Sequence, residues 1–393
     1  MLRIAYVFER FPSFGQTFCY REVAELIRQG AEVSIFAIRR PKDEPPQDWD
    51  EAVVRRVVYV PEEAELVKET ERAMRRGELP NEAIRALKEW GRQSDFLRLY
   101  QAAWIGARLK TAGLARVHAH FAGMAARTAY WINRFFGFSF SVTAHANDVF
   151  APRPYAVSLE KIFDAAVAVV TVSDFSVRQL ANRFPRAAAK LYRVYNGVDL
   201  DRFRLATFTS DPPLILSVAR LIEKKGFADL IGACAQIKDR ALDFRCEIIG
   251  EGPLKSELAA KIRAAGLDRE VQLLGARTQH EIVGRLAAAN VFALPCTTEA
   301  DGGMDNLPTV IMEAMAAGLP VVSTPLAGVP EMVQPGVTGE LVPDRDPRAL
   351  ADAIESLVTQ PSRAQELGRA ARKIAEAKFS IETNVRALAE ILA

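Results

Sequence analysis

Asp301-Gly-Gly-Met-Asp-Asn-Leu-Pro-Thr-Val-Ile-Met-Glu-Ala-Met-Ala-Ala-Gly318 stands between two short apolar runs, Val291 to Pro295 and Val321 to Thr324. Such runs read as buried strands, and the stretch between them as a loop and a short helix from about 308 to 317. Pro308 suits a first helical turn, where its missing N–H would have had no partner. Gly318 supplies the left-handed residue that stops the helix. Strand, helix and strand in this order form one unit of a parallel sheet. The helix start turns unpaired backbone N–H groups toward whatever lies in front of Asn306 and Leu307, an anion site suited to a phosphate. Glu313 sits among Val310, Ile311, Met312, Ala314 and Met315, and a carboxylate in such company needs a partner, which a pair of ribose hydroxyls would provide. Taken alone, the segment reads equally well as an ordinary N-cap at Asp305 or Asn306 with Glu313 on an exposed helix side.

The same alternation extends in both directions. Strands at Leu214–Val218, Phe244–Ile249 and Val271–Leu274 are spaced by helices at Phe227–Ile237, Pro253–Ala265 and His280–Ala289, and helices near 346–358, 362–377 and 380–392 close the chain. The first half reads as strands at Arg3–Phe8, Val33–Ile38, Val53–Val60, Arg116–His120, Phe140–Ala146, Val167–Ser173 and Leu191–Tyr195. Helices follow most of them, beginning with Thr17–Arg28 after a loop that holds Gly15. Glu62–Arg76 and Asn81–Lys110 are polar and mostly helical, the second with Leu87, Trp90, Phe96, Leu97, Tyr100 and Trp104 on a roughly helical period; they form an insertion at about 61–115, expected near an acceptor. The pattern predicts an α/β chain of two doubly wound, Rossmann-like domains facing across a cleft, 1–205 and 206–376, with 377–393 as a last helix.

At 393 residues the chain exceeds what one core supports. Apolar content of 49% and charged content of 25% are those of an ordinary soluble protein. Cys19, Cys234, Cys246 and Cys296 stand far apart, so neither a disulfide framework nor a zinc site is suggested, and a reducing, cytoplasmic compartment fits. The first ten residues are interrupted by charge too early for a signal peptide, and no apolar run approaches the roughly 20 residues of a membrane span. Net charge is +2 but uneven: residues 1–205 hold 31 Lys+Arg against 24 Asp+Glu, the remainder 20 against 25. The basic half points to peripheral contact with an anionic membrane, against the plainer reading of a solvated basic face. Nothing in the pattern points to nucleic acid, and the oligomeric state is not written in it.

Ser217-Val-Ala-Arg-Leu-Ile-Glu-Lys-Lys-Gly226 places Arg220 and Lys225 between a strand end and a helix, where fixed cations can hold a diphosphate. Gly250-Glu-Gly-Pro253 is another strand-to-helix turn; it lacks the third glycine of a dinucleotide fingerprint, which counts against a dehydrogenase.

Taken together, Arg220…Lys225-Gly226, Gly250-x-Gly252-Pro253, Leu274-Gly275, Asp305…Glu313-Ala-Met-Ala-Ala-Gly-Leu-Pro320 and Gly328-Val-Pro-Glu331 resemble the C-terminal domain of the family 4 retaining glycosyltransferases, which have the GT-B fold. Val117-His-Ala-His-Phe121, Thr143-Ala-His-Ala-Asn-Asp148 and Asn196-Gly-Val-Asp199 are similar to that family's first half. Phe11-Pro-Ser-Phe-Gly-Gln-Thr-Phe18 looks like the bacterial exopolysaccharide and colanic-acid-type subset.

The resemblance implies a metal-independent transferase that moves a sugar from a UDP- or GDP-type donor to a glycan or lipid-linked glycan, without a cofactor, at the inner face of the cell membrane. It implies that Arg220 and Lys225 grip the diphosphate, that Asn306 and Leu307 offer backbone N–H groups to it and that Glu313 holds the ribose. Gly15, Gly250, Gly252 and Gly275 would line the donor, His145 would face its sugar, and His118, His120 and Asp148 would lie on the acceptor side. His118 and His120 alternate at a strand end, so one is expected to point at the cleft and the other into the fold. Two features depart from the family pattern. Asp305 stands where relatives commonly have Glu, one methylene shorter, and Gly15 is single where many carry a glycine pair. Asp199-Leu-Asp201 spells a metal-binding pattern of other glycosyltransferases, but it lies in the linker, and no metal is expected. An epimerase of the same fold and a silent nucleotide-sugar-binding subunit are the rival readings.

Overall fold

A computed structural model describes residues 1–89, 96–150 and 155–393, and Trp90 lies outside them. Strands β1 (Arg3–Arg10), β2 (Glu32–Arg39), β3 (Val57–Tyr59), β4 (Arg116–His120), β5 (Ser139–Ala144), β6 (Ala168–Thr171) and β7 (Leu191–Arg193) form a parallel sheet in the order β3-β2-β1-β4-β5-β6-β7. Strands β8 (Leu214–Val218), β9 (Arg245–Ile249), β10 (Val271–Gly275), β11 (Val291–Leu294), β12 (Val321–Ser323) and β13 (Gly339–Leu341) form a second, in the order β10-β9-β8-β11-β12-β13. Residues Ile4 to Phe8 of β1 and all of β8 are buried, as strands covered by helices on both faces must be, which is why they read as runs that are apolar except for Ser217. In each sheet the strand order reverses at the first strand of its domain: β1 lies between β2 and β4, and β8 between β9 and β11. A reversal opens a crevice at the carboxyl ends of the strands. The loops that enter it are those that carry Gly15 and Arg220.

The final helix, Ile381–Leu392, crosses back to the first domain. It packs Val385, Leu388 and Leu392 with Ile4, Cys19, Val23 and Leu26, and Arg28 pairs with Glu382 at 2.5 Å.

Several boundaries differ from the sequence expectation. Val53–Val60 is not one strand: Asp50 caps a turn of helix at Glu51–Val54 by accepting the Ala52 N–H, and only Val57–Tyr59 joins the sheet. Strand β5 stops at Ala144, and Ala146–Phe150 is helical. The 61–115 region holds helices Glu63–Arg75, Asn81–Glu89 and Phe96–Thr111. The third of these covers the first sheet: Leu99, Trp104 and Leu109 share a core with β1 and β4, and Gly106 lies so close to the Phe136 ring that a Cβ there would sit 2.1 Å from it. Pro308 precedes the Thr309–Ala316 helix as its extended N-cap (φ −61°, ψ 115°) instead of starting its first turn. Gly318 ends that helix left-handed at φ +69°.

Candidate active site

The turn after β8 sits tight against β11. Gly226 is left-handed at φ +67°, and a Cβ on it would lie 1.8 Å from the Pro295 carbonyl oxygen. This brings Lys225 onto the Asp305 carboxylate, whose other oxygen lies 3.3 Å from the buried Lys224 Nζ. Burial alone would push the Asp305 carboxyl up, but the two ammonium groups hold it below its ordinary range. Burial likewise opposes the charge on Lys225, and Asp305 overrules it, so its pKa is raised. Asp305 therefore faces its own domain's lysines. Lys224 was not anticipated, although it adjoins Lys225 in the sequence. Arg220 is exposed and has no partner among the described residues. A side chain at Gly15, in the short turn Phe14–Gln16, would come within 3.9 Å of Arg220 Cδ, so the two loops face each other across the crevice.

The other glycines pack backbone against backbone. A Cβ on Gly250 (φ +152°) would lie 1.8 Å from the Ala219 carbonyl oxygen, and one on Gly252 2.4 Å from that of Leu221. Gly275, at φ +73°, accepts the Gly250 N–H at 2.9 Å. These residues let the turn after β9 press on the turn that carries Arg220, so they position the cation through backbone contact. Gly250→Ala is expected to cost about 1–3 kcal/mol of stability through overpacking, measured as a lowered Tm; an unchanged Tm would contradict the close approach.

Asn306 Oδ1 accepts the Ser173 hydroxyl across the crevice at 2.6 Å, while its buried Nδ2 has no partner among the described residues. Leu307 is buried against Gly328. Glu331 also spans the domains, accepting the Phe175 N–H at 2.8 Å and the Tyr195 hydroxyl at 3.0 Å. Glu313 is buried, its side chain 3% exposed, and a protein cation already meets it: Arg21, from the Thr17–Arg28 helix of the first domain, places Nη2 at 2.5 Å from Oε1. The same nitrogen reaches Gln279 Oε1 at 2.7 Å, and Gln279 Nε2 lies 3.3 Å from the second Glu313 oxygen. Arg21 Nη1 is buried without a partner among the described residues. Sequence reasoning missed Arg21 and Gln279, since nothing local marks a contact across 292 residues.

On the first domain, His118 and His120 lie two apart on β4, which puts them on one face of the sheet. Both rings pack against Tyr6 and both are fully buried, so the expected division into one cleft-facing and one inward histidine does not hold. His118 is tied to the Ser141 and Thr143 hydroxyls at 2.8 and 2.9 Å, and burial, with His120 alongside, pushes its pKa well down. His120 Nε2 lies 2.9 Å from Glu22 Oε1, and its Nδ1 lies 3.2 Å from His145 Nε2 and 3.6 Å from Cys19 Sγ. Burial works against the charge on His120, but Glu22 and Cys19 raise its pKa to about 10; burial and that neighbouring charge push His145 down to about 3. Asp148 Oδ2 accepts the Ala122 and His145 N–H groups at 2.9 and 3.3 Å, bracing the ends of β4 and β5. Burial lifts its pKa to about 6 against those two hydrogen bonds. Cys19, His120 and His145 carry donor atoms within 4.8 Å of one another, a spacing that suits a metal ion and serves equally for the hydrogen bonds just described. Asp199 caps its own turn through the Asp201 N–H at 3.3 Å.

Residues 201–374 match the family model described as Glycosyl transferases group 1, and residues 15–202 match Glycosyltransferase Family 4. The chain is 37% identical over 243 residues to a putative colanic acid biosynthesis glycosyltransferase of Escherichia coli (strain K12), covering 61% of this chain and 59% of that protein. It is 39% identical over 207 residues to an amylovoran biosynthesis glycosyltransferase of Erwinia amylovora, covering 52% and 51%. The matches span about half to three-fifths of those relatives' length. Among solved structures, the Anabaena protein HepE in complex with UDP superimposes with a TM-score of 0.72 at 18% identity, over 100% of this chain and 99% of that one.

Proposed function

We propose that the chain, whose two halves match the models of the group 1 and the family 4 glycosyltransferases, moves a sugar from a nucleotide-diphosphate donor to a glycan or lipid-linked glycan in exopolysaccharide assembly. One observation carries the reading. The Arg220 side chain, without a partner among the described residues, the Lys225–Asp305 pair and the start of the Thr309–Ala316 helix converge at the carboxyl ends of β8 and β11, opposite Gly15.

A departing nucleotide diphosphate needs fixed positive charge, and Arg220 with Lys225 supplies it in place of a metal ion. Glu313 takes the ribose hydroxyls, sharing its carboxylate with Arg21. His145 meets the donor sugar. The sugar keeps its anomeric configuration through attack on the face that the diphosphate leaves, the leaving oxygen taking the acceptor's proton, so catalysis rests on positioning and electrostatics. The basic first half holds the enzyme against the anionic inner membrane face; among the described residues no helix is long and apolar enough to cross a membrane.

The purified chain, offered a panel of UDP- and GDP-sugars with a lipid-linked glycan primer, is expected to extend the primer with net retention and to do so in EDTA. Loss of transfer in EDTA that Mg²⁺ restores would overturn the metal-free reading. Release of an altered sugar nucleotide without primer would point to an epimerase, and nucleotide binding with no turnover to a silent subunit.

A further inference from the structure

We propose that His120 is a positioning residue for His145: anchored through Nε2 to Glu22, it donates its Nδ1–H to His145 Nε2, so that His145 is a neutral imidazole with its own proton on Nδ1. The proposal rests on the reading above that His145 meets the donor sugar; the proton arrangement itself stands on contacts within the first domain.

Glu22 Oε1 receives the Tyr6 hydroxyl at 2.8 Å and His120 Nε2 at 2.9 Å. A carboxylate between two such groups accepts from both, so His120 Nε2 carries a hydrogen. Phe8 stacks on the ring at 5.2 Å and 13°, which holds its plane. Its other nitrogen then faces His145 Nε2 at 3.2 Å, where two ring nitrogens must share one proton. The carboxylate at the far side of His120 favours placing that proton, and the positive charge, on His120. The directions of the two pKa shifts agree. His118 adds no competing charge, since it is held neutral between two hydroxyls. Cys19 Sγ, at 3.6 Å, is the remaining group at this edge, and burial raises its pKa against the pull of His120.

His145 is fixed by its surroundings as well. Asp148 holds its backbone N–H, and Phe18 and Phe121 pack on its ring at 5.0 and 4.4 Å. Among the described residues no hydrogen bond engages its Nδ1. With Nε2 occupied as an acceptor, His145 can donate one hydrogen bond from Nδ1 and has no free lone pair to take a proton from a hydroxyl. The arrangement makes it a donor toward a sugar or phosphate oxygen and removes it as a general base.

Nitrogen-15 labelling of histidine in the intact chain, read by long-range proton–nitrogen correlation near neutral pH, tests the arrangement without any substrate. The expected spectrum shows His145 protonated at Nδ1 alone and His120 protonated at both nitrogens. A proton on His145 Nε2, a neutral His120, or one equivalent of tightly held zinc in the purified chain would overturn the proposal. In the transfer assay, Glu22→Gln is expected to lower kcat about tenfold, the loss of one charge-assisted hydrogen bond. Donor KM should be unchanged, with partial recovery in Glu22→Asp. An unchanged kcat in folded Glu22→Gln would break the link between Glu22 and His145. The expected spectrum in a chain that transfers no sugar would leave the proton arrangement standing and overturn the glycosyltransferase reading instead.

Discussion

Arg220→Ala is expected to lower kcat for sugar transfer about 10²–10³-fold, with stability unchanged within about 0.5 kcal/mol. The separation follows from the site. Arg220 is exposed and its side chain makes no hydrogen bond or ion pair among the described residues, so the fold loses nothing when that side chain goes. What is lost is a fixed cation at the strand end where charge develops on the leaving diphosphate. Lys225→Ala should cost as much in rate but also in stability, because Asp305 would keep only Lys224 to offset a carboxylate that burial disfavours. The pair of variants thus distinguishes a cation held for the ligand from one held partly for the protein. Steady-state kinetics with thermal unfolding of both variants checks this. Near-normal turnover in Arg220→Ala would remove the diphosphate assignment, whatever its stability.

The contrast between these residues also shows what the sequence could and could not disclose. Buried parallel strands are mostly apolar runs, so β1 and β8 could be read directly, whereas β13, Gly339–Leu341, is three residues long and two of them are Gly339 and Glu340. Arg220, Lys225 and Glu313 were legible because each belongs to a local unit of strand end, turn and helix start. Their partners were not. The lysine pair on Asp305 depends on how closely Gly226 lets one turn approach β11. Gly250 and Gly252 looked like ligand-facing glycines, and only the direction of the missing Cβ shows that they face Ala219 and Leu221. The spacing of His118 and His120 did carry its answer, since two apart on a strand means one face. That face is interior because β4 is a central strand covered on both sides.

Arg21→Ala is the substitution expected to weaken the protein most. Glu313 is 3% exposed, and without Arg21 its carboxylate would retain only Gln279, at 3.3 Å. Breaking one side of a buried pair costs about 3–5 kcal/mol, because the remaining charge has neither water nor partner. Here the two sides belong to different domains, so the loss should appear both as a lowered Tm and as easier opening of the crevice. Removing both charges should undo much of it: Arg21→Ala with Glu313→Gln leaves no buried charge unpaired, and the double variant should be more stable than Arg21→Ala alone. The donor supplies a second test. If Glu313 receives the ribose hydroxyls, a bound nucleotide gives the stranded carboxylate new hydrogen bonds, and saturating UDP or GDP should raise the Tm of Arg21→Ala by more than it raises that of the native chain. Glu313→Gln should show a smaller rise than either. Equal shifts in all three would mean that the nucleotide does not meet Glu313, and Arg21 would then be a clasp between domains with no part in holding the donor.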